Sequence, residues 1–79
     1  MTRDEMIRLL QEGTCYVEFE KKDGTLREMK CTLSSTYIPK DKLPKNETEY
    51  SNNVIRVFEV TLEQWRSFRV DSVNKFEKV

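Results

Sequence analysis

The sequence predicts a mainly β domain with one N-terminal helix, and three observations carry that prediction. Helical apolar spacing is confined to residues 2–12. From Thr14 onward, apolar residues recur at alternate positions in short runs. Gly, Pro, Asn and Asp separate those runs. With 79 residues, the chain has room for a single domain over 1–79. A domain of that size buries only about 60% of the surface its unfolded chain exposes, which favours a binding module over an enzyme with a deep cleft.

The helix is expected over 2–12, helical from about residue 3. Thr2 followed by Glu5 is a capping box, and Met1 with Met6 has the spacing of a hydrophobic staple. Met6, Leu9 and Leu10 then share one apolar face, with Arg3, Asp4, Arg8, Gln11 and Glu12 directed to water. Gly13 is the expected stop.

Residues 14–33 read as a β-hairpin whose register follows from charge. A two-residue Asp23-Gly24 turn would set Val17 against Lys30 and Phe19 against Glu28, burying charges. A three-residue loop, Lys22-Asp23-Gly24 with glycine left-handed, sets Val17 against Met29 and Cys15 against Cys31 and keeps one face apolar. Cys15 and Cys31 are then buried cross-strand neighbours, expected as thiols that serve as small core residues.

Residues 34–53 lose the pattern and read as a long loop, rich in charge, proline and asparagine. Lys40, Lys42 and Lys45 lie in it, with Tyr37 and Tyr50 near its ends. Closing strands fill 54–79. Val54 to Val60 is a strand buried in part on both faces, a tight connection spans Thr61 to Gln64, and a strand follows from Trp65. Phe76 and Val79 belong to a short closing strand.

Composition narrows the function. There are 14 basic and 14 acidic residues and no histidine, so His-based triads and His-ligated zinc sites are excluded. Nothing resembles a paired acid and base or a phosphate-cradling glycine loop, so no catalytic residue, metal or cofactor is expected. The N-terminus carries no apolar stretch of signal or membrane-span length, so a cytoplasmic protein with no membrane partner is expected.

Trp65-Arg66-Ser67-Phe68-Arg69-Val70-Asp71-Ser72-Val73, preceded by the strand from Val54 and by the hairpin from Val17 to Leu33, resembles a family of small phage and bacterial proteins. This is the second WYL-like group, with an Sm-like barrel and no settled function. The resemblance implies a small Sm-like, Src-homology-3-type five-stranded β-barrel and, for a phage product, the host cytoplasm. More remotely, Phe68-Arg69-Val70-Asp71-Ser72-Val73 is similar to the closing segment of WYL domains in bacterial regulators. That likeness implies a nucleic-acid or nucleotide ligand on a basic, aromatic-bearing face, with Arg69 and Asp71 at the family's arginine and acidic positions.

In an extended Trp65 to Asp71, Phe68 and Val70 point inward and Trp65, Ser67, Arg69 and Asp71 outward. An indole beside a guanidinium can stack a base and hold a phosphate. The candidate binding residues are therefore Trp65, Arg66, Arg69, Asp71, Lys40, Lys42, Lys45 and Tyr37. Two readings stay open. One is a module for nucleic acid or a nucleotide-like ligand. The other is a protein-interaction factor that engages a host or phage protein through a barrel edge or the 34–53 loop, with homo-oligomers as a further use of such edges.

Overall fold

The computed structural model describes residues 1–43 and 53–79. Helix α1 (Arg3–Glu12) leads into five strands, β1 (Thr14–Glu20), β2 (Leu26–Thr32), β3 (Val54–Glu59), β4 (Gln64–Arg69) and β5 (Val73–Lys78). Single 3-10 turns occupy Lys40–Lys42 and Val70–Ser72. The strands form one antiparallel sheet in the order β4-β3-β2-β1-β5.

The start of α1 follows from Thr2, whose hydroxyl oxygen accepts a 3.2 Å hydrogen bond from the Glu5 amide. Met6 and Leu10 are buried, and Ile7 and Leu9 pack at the margin of the same core. Met1 is 62% exposed, so the helix start is anchored through Met6 and not through the expected staple. Gly13 closes the helix with its N–H on Leu9 O at 3.2 Å, in extended backbone rather than the left-handed form.

The hairpin has the expected register, with Cys15 opposite Cys31 and Val17 opposite Met29. Lys21 N–H donates to Thr25 O at 2.7 Å, which closes the three-residue loop. Gly24 has φ 88°, where a side chain would be strained although a Cβ would meet only an ordinary contact with the Glu20 side chain.

The sheet curls on itself. The rings of Phe19 and Phe68 lie 5.8 Å apart, although β1 and β4 are not neighbours in the sheet. The interior holds Cys15, Val17, Met29, Cys31, Ile55, Val57 and Phe68, and Met6 and Leu10 of α1 join that cluster. Each of the aliphatic, methionine and phenylalanine side chains among them contributes about 1.5–3 kcal/mol on burial.

Four features differ from the sequence reading. Thr32, which alternation sets on the face opposite Cys31, is buried. Its hydroxyl lies 2.8 Å from Gly13 O and accepts from Ser34 N–H at 3.0 Å, tying the helix end to β2. The strand from Val54 stops at Glu59, because Val60 begins the turn in which Glu63 takes φ 53°. Trp65 to Asp71 is not one extended run. Val70 N–H donates to Asn53 O at 2.8 Å, and the 3-10 turn at Val70–Ser72 then swings the chain onto β1, so Asp71 leaves the strand face. Finally, Ile38, within the segment read as loop, is buried.

Candidate anion-binding groove

One end of the curled sheet opens into a groove of about 590 Å³ between the tip of the β1–β2 hairpin and strand β4. Phe19 and Phe68 supply an apolar floor. Around it stand Lys21 and Lys22 from the hairpin, Arg27 from β2, and Arg66 and Arg69 from β4. Glu20 is the carboxylate among the lining residues. Sequence-distant cations meet here because the curl carries the hairpin tip back toward β4.

The groove has an ordered interior wall. Glu59, its side chain 6% exposed, places Oε1 2.8 Å from Arg27 Nη2 and 3.4 Å from Arg66 Nε. Arg66 Nη2 also donates to Gln64 Oε1 at 2.6 Å. At the far end Arg69 Nε lies 3.7 Å from Asp71 Oδ1, with both side chains more than half exposed. That pair is water-screened and contributes little to stability. Counting these two partners and Glu20, the groove keeps an excess of positive charge in a molecule whose formal total is zero.

Trp65 belongs to a different place. Its ring meets Phe58 edge-on at 5.6 Å, its indole N–H donates to Lys42 O at 2.7 Å, and the Arg56 guanidinium lies 5.3 Å from the ring centroid. The indole thus straps the 3-10 turn at Lys40–Lys42 to the sheet, beside a smaller apolar cavity that includes Ile38, Leu43 and Ile55. Lys40, Lys42 and Tyr37 are exposed.

Of the residues expected to bind ligand, the structure brings Arg66 and Arg69 to the groove, with Asp71 joined through Arg69. Trp65, Lys40 and Lys42 gather apart from it, and Lys45 lies outside the described residues. Sequence reasoning missed Lys21, Lys22, Arg27 and Glu59. The signal was present: the hairpin register puts Arg27 opposite Phe19 on the core face, and period two puts Glu59 on the face of Ile55 and Val57.

The two cysteines are free and buried. Burial pushes the Cys31 thiol up to about 12, with the nearby Cys15 and Glu59 adding to the effect. Burial also raises Cys15. Both are poor nucleophiles. Among the described residues, no cluster of three or more acidic or cysteine side chains is arranged to hold a metal ion. No helix among them is long and apolar enough to cross a membrane.

A five-stranded antiparallel sheet, curled around an apolar interior and preceded by one helix, defines a small Sm-like barrel. The chain belongs to the WYL_2 family, described as an Sm-like SH3 β-barrel fold, whose model matches residues 3–73. It is 39% identical over 67 residues to a protein of Enterobacteria phage T4 described as "Uncharacterized 11.5 kDa protein in Gp31-cd intergenic region". The similarity covers 81% of this chain and 66% of the phage protein. No solved structure matches the chain.

Proposed function

We propose that this chain is a non-catalytic binding module that takes single-stranded nucleic acid in the cationic groove. The observation that carries the reading is the convergence of Lys21, Lys22, Arg27, Arg66 and Arg69 around the Phe19 and Phe68 floor. Phosphates are bound by cations with little regard to sequence, and a base adds affinity through contact with an apolar or aromatic surface. A groove of about 590 Å³ has room for a nucleotide unit. The phage relative supports a setting in the cytoplasm of an infected host.

Amide shift mapping of isotope-labelled protein tests this reading. Titration with a short deoxythymidine oligonucleotide is expected to move the amides of residues 19–22, 27 and 66–69 together. Thymidine monophosphate is expected to move the same set only at much higher concentration. Equal response to the two ligands would assign the groove to free nucleotides. Response confined to the Trp65 and Lys42 side, or no response, contradicts the proposal, and capture of a protein partner in its place would favour an interaction factor.

A further inference from the structure

Among the charged residues at strand positions that face the interior of this barrel, three form one cluster. Arg27 pairs with Phe19 across β1 and β2, Arg66 pairs with Val57 across β3 and β4, and Glu59 pairs with Cys31 across β2 and β3. Phe19, Val57 and Cys31 all belong to the apolar core. Hydrophobic patterning would fill the three charged positions with apolar side chains as well, and departures from such local rules concentrate at functional sites.

Stability gives no reason for the exception. Removing charges from water costs about as much as their attraction returns, and apolar replacements of buried ion triads are often neutral or stabilising. Orientation does give one. A single oxygen of Glu59 holds guanidiniums from β2 and β4, strands separated by β3, at 2.8 and 3.4 Å. The exposures are graded outward, 6% for the Glu59 side chain, 29% for Arg27 and 41% for Arg66. The arginines line the groove and the carboxylate stands behind them. Arg27 Nε, though buried, has no hydrogen-bond partner among the described residues, so Arg27 is held through Nη2. Two long side chains fixed in advance lose less freedom when a ligand arrives.

We propose that Glu59 is the positioning residue of the groove: its carboxylate sets Arg27 and Arg66 side by side as a pre-formed clamp for a phosphate group. The proposal rests on the reading of the groove as a nucleic-acid site, and its test separates the two. Charge alone predicts that removing any carboxylate near an anion site tightens binding. Positioning predicts the opposite at Glu59.

The experiment measures anisotropy of a fluorescein-labelled deoxythymidine oligonucleotide at low salt with wild type, Glu20→Gln, Glu59→Gln and Glu59→Asp, circular dichroism reporting the fold of each. Glu20→Gln is expected to tighten binding, because it removes a carboxylate from the rim. Glu59→Gln is expected to weaken it by about tenfold, the scale on which loss of an orienting group behind a ligand-binding residue is felt. Glu59→Asp keeps the charge but draws the oxygen back from both guanidiniums, and is expected to weaken binding several-fold; it decides the matter if the glutamine variant does not fold. Tightening by Glu59→Gln equal to that of Glu20→Gln, or unchanged affinity in folded Glu59→Asp, overturns the positioning role and leaves the groove reading intact. No binding by wild type or Glu20→Gln overturns the groove reading, and the clamp with it.

Discussion

The indole N–H of Trp65 donates to the carbonyl of Lys42 at 2.7 Å. The bond joins β4 to the 3-10 turn at Lys40–Lys42, and it uses the polar edge of the one tryptophan in the chain. With Phe58 against its ring and Arg56 beside it, Trp65 is engaged on several sides by its own protein.

Trp65→Phe is therefore expected to lower stability by about 1 kcal/mol, the net worth of one hydrogen bond, as read by urea unfolding. Trp65→Ala also loses the contact with Phe58 and is expected to cost about 2–3 kcal/mol, below the range for a fully buried ring because Trp65 is only half-buried. Oligonucleotide affinity of folded Trp65→Phe is expected to stay within about twofold of wild type, a change of about 0.4 kcal/mol. A tenfold loss would return the indole to the binding surface.

Much of this architecture was legible in the residues. The hairpin register could be chosen because only one loop length kept Lys30 and Glu28 off the core face, and the structure has that register. The groove was harder to read. Trp65, Arg66 and Arg69 are close in sequence, but strand alternation sends Trp65 to the side opposite Arg66, and the turn at Val70–Ser72 removes Asp71 from the strand. The cations that do meet come from residues far apart in the chain, and their meeting depends on how far the sheet curls. Ile38 was hidden for a related reason, since a single buried residue in a polar connection has no period to reveal it.

The thiols give a test of the interior. Because burial raises both Cys15 and Cys31, the latter to about 12, neither is expected to react with an aromatic disulfide reagent at neutral pH until the protein unfolds. Cys31→Ser places a hydroxyl where no water reaches and is expected to cost about 1–3 kcal/mol. Rapid modification of both thiols in native protein would contradict the closed core.

The hairpin turn predicts a pH effect of definite sign. The Asp23 carboxylate accepts from the Thr25 hydroxyl at 2.6 Å and from the Thr25 amide at 3.1 Å, and these bonds hold its pKa below the ordinary aspartate value. A lowered folded-state pKa means stabilisation that is present above the unfolded value, about 3.9, and is lost as pH falls through the folded one. Urea midpoints of wild type are thus expected to fall more steeply below about pH 4 than those of Asp23→Asn. Parallel profiles for the two proteins would remove Asp23 from the acid response.

On the proposed reading, a neutral protein concentrates enough positive charge in one groove to hold a nucleic-acid strand. The most direct measurement is the salt dependence of oligonucleotide binding by wild type and by the double variant Lys22→Ala, Arg69→Ala, neither residue being part of the Glu59 cluster. For contacts with two to four phosphates, the logarithm of the association constant should fall with the logarithm of salt at a slope of about 1.5 to 3. The double variant should bind more weakly, with a slope smaller by about 1.4. Absence of binding at low salt, or an affinity indifferent to salt and to the loss of both cations, contradicts the account.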